Sequence, residues 1–255
     1  MENKRTEHLS DWGFDQAVTI LPNLEASAMS GCEYGCDGNG WKYGDDGARG
    51  GPCACHWLGM ASIPKALRGR RFDNFEEERA PDQFARVQSW AHGYADGCHS
   101  LMLYGDGKGT GKTHLMCASA HHIAMNNKRR VASVAGLGFI LAPQFFADIK
   151  DPEVFGTRLD EARTASLLFI DDVGQADEGD PAWLRAKKRD AYFRLINHRE
   201  TNRLTTVCTS NLESVDQFAD VLGEAAADRL LGMCGKAGLI KFEGITSYRL
   251  RDLLA

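Results

Sequence analysis

No apolar run in this chain approaches the roughly 20 residues that a helix needs to cross a bilayer. Runs such as Leu167–Ile170 are far shorter. The first residues, Met1-Glu2-Asn3-Lys4-Arg5-Thr6-Glu7-His8, lead into polar and aromatic residues rather than the apolar core of an export signal. The chain is therefore expected in the cytoplasm, with no membrane association. It also lacks an excess of positive charge. A formal net charge of -5 excludes a protein that coats nucleic acid with its whole surface, while leaving room for a local basic patch. No internal repeat or low-complexity tract is visible. What is left is an ordinary soluble composition, 43% hydrophobic and 25% charged, as expected of a globular fold.

The length of 255 residues accommodates one sizeable α/β domain and something smaller beside it. Residues 1–63 form the smaller part, a Gly-rich, weakly periodic stretch that cannot bury much on its own. Four of the eight cysteines crowd there, between Cys32 and Cys55, while Cys98, Cys117, Cys208 and Cys234 are scattered. In a reducing compartment the cluster reads as a metal site and the others as core thiols. From residue 64 to 255 the pattern changes. Buried-strand candidates Leu101–Tyr104, Val131–Val134, Leu167–Ile170, Thr205–Thr209 and Leu239–Phe242 alternate with helical segments such as Pro81–Tyr94 and Lys112–Met125. That alternation predicts a mostly parallel sheet with helices on its faces, and Leu115, Met116, Ala120 and Ile123 would face the sheet.

Directly after the strand Leu101–Tyr104 comes Gly105-Asp106-Gly107-Lys108-Gly109-Thr110-Gly111-Lys112-Thr113-His114, followed by a helix. Glycines let successive N–H groups point at phosphate oxygens, and the helix N-terminus adds positive potential. Lys112 would reach the β and γ phosphates of ATP, and the Thr113 hydroxyl would bind Mg²⁺. One departure stands out. The strict pattern wants glycine where Asp106 stands, and Gly105 comes one residue too early. Either the loop carries a one-residue insertion, the reading we favour, or Asp106 sits near the phosphates with its carboxylate turned outward.

The apolar strand Leu167–Ile170 ends in Asp171-Asp172. Carboxylates at the mouth of a buried strand are costly unless something positive meets them. Nucleotide-bound Mg²⁺ answers that need, with Asp171 completing the metal shell alongside Thr113 and Asp172 placed to orient the attacking water. The strand Thr205–Thr209 leads to Asn211, whose neutral amide can hydrogen-bond a γ-phosphate or that water. An Asn at a strand end is as readily a turn former. Arg229, beyond an Ala-rich helical stretch, could complete a neighbouring subunit's site; a solvated surface arginine is the bland alternative.

Together these residues resemble the AAA+ ATPases of the DnaC/DnaI helicase-loader and IstB transposition-helper group. Ile63-Pro64 and Arg71-Phe72-Asp73-Asn74-Phe75 look like the family's leading segment. Gly111-Lys112-Thr113-His114-Leu115 is similar to its Walker A and Phe169-Ile170-Asp171-Asp172-Val173-Gly174 to its Walker B. Thr209-Ser210-Asn211-Leu212 is similar to sensor 1, Asp228-Arg229-Leu230 to the arginine-finger segment, and Ser247-Tyr248-Arg249-Leu250-Arg251 to the closing stretch, with Arg249 a weak candidate for sensor 2. The resemblance implies a P-loop NTPase domain of AAA+ type, three-layered, without a C-terminal lid. It implies an ATP-driven switch that oligomerises with nucleotide and brings a hexameric DnaB-type replicative helicase onto single-stranded DNA.

The cysteines add a zinc module ahead of this domain. Cys32 and Cys36, then sixteen residues, then Cys53 and Cys55 with His56 adjoining, supply four tetrahedral ligands, and either Cys55 or His56 is the fourth. Some DnaI-like loaders also carry such a module. Trp12, Phe14, Val18, Ile20 and Leu21 would form an amphipathic helix for docking the helicase, or a small packed cap. Basic groups at Lys65–Arg71, Lys128–Arg130 and Arg185–Arg189 are candidates for DNA phosphates, or simply solvated faces. Two other readings stay open: a transposition helper of IstB type, and a zinc-stabilised adaptor that binds nucleotide without turning it over.

Overall fold

In the computed structural model, alternate residues of the central strands are buried on opposite sides of one sheet. The structure describes residues 36, 41–43, 47–53, 55–56, 59, 63–95, 97–105, 107–126, 136–174 and 179–248. The expectations at Trp12–Leu21, Cys32, Asp106, Lys128–Arg130, Val131–Val134 and Arg249 lie outside them.

A short antiparallel hairpin, β1 (Trp41–Tyr43) with β2 (Arg49–Pro52), carries the start of the described chain. Helix α1 spans Pro81–His92, and strand β3, Leu101–Tyr104, leads through the glycine-rich loop into α2, Lys112–Asn126. Then follow β4 (Leu137–Leu141), α3 (Ala142–Ala147), α4 (Pro152–Thr164) and β5 (Leu167–Val173). Helix α5 (Ala182–Thr201), β6 (Thr205–Ser210), α6 (Val215–Leu222), α7 (Glu224–Gly238) and β7 (Leu239–Lys241) complete the described part. The strand ends predicted from sequence for β3, β5, β6 and β7 fall within a few residues of these. The strand beside β5 is Leu137–Leu141, a segment for which no strand was expected.

Local chemistry accounts for several boundaries. Proline opens α1 and α4 at positions where a missing N–H costs nothing. The Asp151 carboxylate accepts from the amides of Glu153 and Val154 at the start of α4, and Ser214 with Gln217 closes a capping box on α6.

The five main strands are all parallel, in the order β4-β5-β6-β3-β7. Side chains alternate along a strand, so Leu101, Leu103, Leu167, Phe169 and Val207 join Phe84, Val87, Trp90, Leu115, Met116 and Ile123 of α1 and α2 on one side. Met102, Leu168, Ile170 and Cys208 face Phe145, Leu159, Leu195, Ile196, Phe218 and Leu230 of α3 to α7 on the other. Both faces of the sheet are covered, as a parallel sheet requires, and the three layers expected from sequence are present. The C-terminal ends of β3, β5 and β6 emerge together, at the edge where open α/β sheets bind ligands. Cys117, Cys208 and Cys234 are buried, and burial pushes their thiols up, Cys234 to about 12. They are protonated core residues. Among the described residues no helix is long and apolar enough to cross a membrane.

Candidate functional site

At the end of β3 the chain must turn while β7 passes close by. The Phe242 amide donates to the Tyr104 carbonyl at 2.7 Å, and a Cβ at Gly105 would lie 2.2 Å from the Phe242 carbonyl oxygen, at a φ of +132°. Gly105 is thus fixed by the approach of a neighbouring strand end, which explains a glycine one residue before the position the phosphate motif demands. At the far end of the loop, Gly111 has a φ of +103° and abuts the Phe75 ring. The leading segment packs against the loop there.

Lys112 opens α2 with 6% of its surface exposed. Its ammonium donates to the carbonyls of Gly105 at 2.9 Å and Gly107 at 2.6 Å, and to the Thr110 hydroxyl at 3.3 Å. These acceptors offset the cost of burying the ammonium and hold it within the loop.

Thr113, one residue on, donates its hydroxyl to Asp171 Oδ1 at 2.8 Å. The same oxygen accepts a second hydroxyl, from Thr209, at 2.5 Å. Burial raises the Asp171 carboxyl to about 6, an effect that the two hydroxyls oppose and the neighbouring Asp172 charge reinforces. Asp172 has a φ of 58°, and its amide donates to Thr209 Oγ1 at 2.9 Å. Asp171, Asp172 and Asn211 line one cleft of about 430 Å³ with Lys108, Gly109, Thr110, Gly111, Lys112, Thr113 and His114. Gly107 lies behind that wall, its carbonyl taken by Lys112 and by the Thr110 hydroxyl. The volume suits a small organic ligand, and the hydroxyl–carboxylate pair offers hard oxygen donors of the kind Mg²⁺ takes.

His114 serves the cleft's frame. Its Nε2 lies 2.9 Å from the Arg71 carbonyl and 3.0 Å from Asn74 Oδ1, two acceptors that call for a protonated Nε2. Burial lowers its pKa, the Arg71 hydrogen bond partly opposing, so the ring is neutral. Leu67, Arg70, Asn74 and Tyr248 form the remaining wall.

Arg229, on α7, is not among the cleft-lining residues. Its guanidinium lies 3.3 Å from Asn197 Oδ1 and 3.5 Å from the Glu200 carboxylate of α5, and over the Phe193 ring. Neighbours in its own helix gave no sign of that pairing. Of the basic run on α5 only Lys188 is buried, while Arg185, Lys187 and Arg189 are exposed. Lys188 is 8% exposed and paired with Asp180 at 2.5 Å, while Arg185 and Arg189 donate to the carbonyls of Asp180 and Asp220.

In the N-terminal part, ligand atoms of Cys36, Cys53 and Cys55 all lie within 4.8 Å of one another. The Cys36 and Cys55 sulfurs are 3.5 Å apart. Thiolates about 2.3 Å from a tetrahedral zinc are separated by roughly 3.8 Å, so the donor set and its size fit zinc. His56 stands outside this group, its ring 5.5 Å from that of Trp41.

Thr209 and Tyr248 had no individual role in the sequence reading. Thr209 stands two residues before Asn211, on the same face of a strand by simple alternation, which is the one signal that could have marked it.

The family model "Bacterial DnaA ATPase domain" matches residues 68–212, which include the glycine-rich loop, Asp171, Asp172 and Asn211. A search of curated proteins found no match. Among solved structures, the DnaC helicase loader superposes with a TM-score of 0.56 at 19% identity, over 71% of this chain and 100% of that one. DnaI superposes with a TM-score of 0.53 at 20% identity, over 70% of this chain and 94% of that one. Both share the fold. The chain belongs to the bacterial DnaA ATPase-domain family and has an AAA+ ATPase fold like those of DnaC and DnaI.

Proposed function

We propose that this chain is an ATP-dependent loader of a hexameric DnaB-type replicative helicase onto single-stranded DNA, working in the cytoplasm as a nucleotide-driven switch. One observation carries the enzymatic half of the reading. The Thr113 hydroxyl and the Asp171 carboxylate, from two different elements, meet at 2.8 Å beside a buried Lys112 at the head of a glycine loop. The loader half is supported by likeness to the DnaC helicase loader and to DnaI.

In this reading Lys112 and the amides from Gly107 to His114 bind the β and γ phosphates of ATP. Thr113 and Asp171 would hold magnesium, which when bound neutralises charge on the triphosphate. Asp172 orients a water for attack on the γ-phosphorus; the bond to the ADP oxygen breaks, and ADP and inorganic phosphate leave. The Asn211 amide donates to a γ-phosphate oxygen or to that water. Arg229 is offered to a neighbouring copy in an ATP-bound homo-oligomer, where a finger of this kind is worth about 10³ to 10⁵ in rate. Cys36, Cys53 and Cys55, with Cys32 completing the set, hold a structural zinc that stabilises the glycine-rich N-terminal part of residues 1–63 ahead of an ATPase domain of residues 64–255.

A pull-down of the tagged protein with ATP and Mg²⁺, paired with an ATP turnover assay with and without single-stranded DNA, tests both halves. Recovery of a replicative helicase and turnover abolished by Lys112→Ala are expected. Recovery of a transposase alone contradicts the loader half; nucleotide binding without any turnover contradicts the enzymatic half and favours an adaptor.

A further inference from the structure

The pairing of β5 with β6 slips at the functional end. Ile170 stands opposite Cys208 and Val173 opposite Ser210, so two residues of β5, Asp171 and Asp172, face the single residue Thr209. This is a β-bulge. It lets two consecutive acids, which a regular strand would send to opposite faces, both line the cleft. The bulge also takes the Asp172 amide out of the ladder and places Asp172 at a φ of 58°, a conformation costly for a residue with a Cβ unless its surroundings impose it.

Thr209 is what imposes it. Its hydroxyl accepts from the Asp172 amide at 2.9 Å and donates to Asp171 Oδ1 at 2.5 Å, so one oxygen ties both acids. The residue is 1% exposed, and water cannot replace those bonds. On the far side of the bulge the Ser210 hydroxyl donates to the Val173 carbonyl at 2.7 Å and accepts from the Leu212 amide at 3.1 Å. The bulge is therefore stitched to β6 at both ends, and Asn211 lies between Ser210 and Leu212, inside the second stitch.

We infer that Thr209 is a positioning residue for hydrolysis, holding Asp171 and Asp172 in register with Asn211 through its hydroxyl. This rests on the ATPase reading above. Thr209 and Ser210 immediately precede Asn211 in the chain, so the stretch that holds the two acids is the one that leads into Asn211. Thr209 has no contact with nucleotide to make; its work is done through the two carboxylates.

The test compares Thr209→Val, which keeps the shape and removes the hydroxyl, with Thr209→Ser, which keeps the hydroxyl. The valine variant should lose about 10- to 100-fold in kcat, as displacement of a catalytic group does, while nucleotide Kd changes less than about threefold. The serine variant should recover most of the rate. Its crystal structure should keep Asp172 left-handed, whereas the valine variant's should not. Undiminished kcat in the valine variant, equal loss in both variants, or a valine structure with Asp172 unmoved would overturn the inference. Absence of turnover in the wild-type protein would overturn the ATPase reading instead, and the two crystal structures would still decide whether Thr209 holds the bulge.

Discussion

The Tyr248 amide donates to the Gly109 carbonyl over 2.9 Å, so a residue 139 positions along the chain is tied to the middle of the phosphate loop. The Tyr248 hydroxyl accepts from the Glu76 amide at 3.0 Å, and the Arg79 guanidinium covers its ring at 4.0 Å while donating to the Thr246 carbonyl. The end of the described chain thus clamps the loop against the leading segment. Tyr248→Ala should weaken nucleotide binding by about 3- to 10-fold, because the loop must then be ordered at the ligand's expense. Tyr248→Phe, which loses the bond from the Glu76 amide, of a kind worth about 1 kcal/mol, and keeps the ring, should stay close to wild type. Titration with a fluorescent ATP analogue distinguishes them.

Acid should weaken binding of the magnesium nucleotide. Asp171 titrates at about 6 in the folded protein, against an ordinary value of 3.8, chiefly because it is buried. The folded state holds this proton more tightly than the unfolded state. The group's contribution to stability is therefore complete below about pH 4 and is lost as pH rises through about 6. Metal binding needs the carboxylate, so affinity for ATP with Mg²⁺ should climb through about pH 6 and level off above it. Isothermal titration across pH 5–8 should show this dependence with Mg²⁺ and lose it in Asp171→Asn.

Arg199 is fully buried, and among the described residues it forms no ion pair with a carboxylate. It donates instead to the Thr206 hydroxyl and to the carbonyls of Ala162, Ala165 and Thr205, joining the end of α4 to β6. Removing it orphans several buried acceptors at once. Arg199→Met should cost about 3–5 kcal/mol of folding stability in denaturant unfolding, and Arg199→Lys should recover only part, since an ammonium cannot span the same acceptors.

Zinc should copurify at about one ion per chain and be lost from Cys53→Ser. Chelation should lower the thermal stability of the wild-type protein, because the free energy of metal binding, which only the folded site supplies, is then lost. Mass-spectrometric metal content and a melt with and without chelator check this. Full thermal stability in a metal-free preparation would contradict a structural zinc.

Lys112, Thr113 and Asp171 were legible because local order carries them: a glycine loop between strand and helix, and acids at the end of an apolar run. The sheet was legible where runs of apolar or β-branched residues mark a strand, as at Leu101–Tyr104, Leu167–Ile170 and Thr205–Thr209. It was missed at Leu137–Leu141, where Gly138 weakens the strand pattern; in the fold that glycine lies where a Cβ would come within 3.1 Å of Ala165 Cβ and 3.2 Å of Leu168 Cδ1. Thr209 was not legible as a partner of Asp171, since their contact depends on a one-residue slip between strands that no local pattern encodes. Lys188 looked like part of a charged surface, and only tertiary packing sets it against Asp180. Arg229 likewise meets Glu200 from another helix.

The most direct measurement is a crystal structure with a non-hydrolysable ATP analogue and magnesium. The β and γ phosphates should lie against Lys112 and the loop amides, with the metal between the Thr113 hydroxyl and Asp171. A triphosphate bound elsewhere, or Thr113 and Asp171 turned away from it, would contradict the assignment of this cleft as an ATPase site.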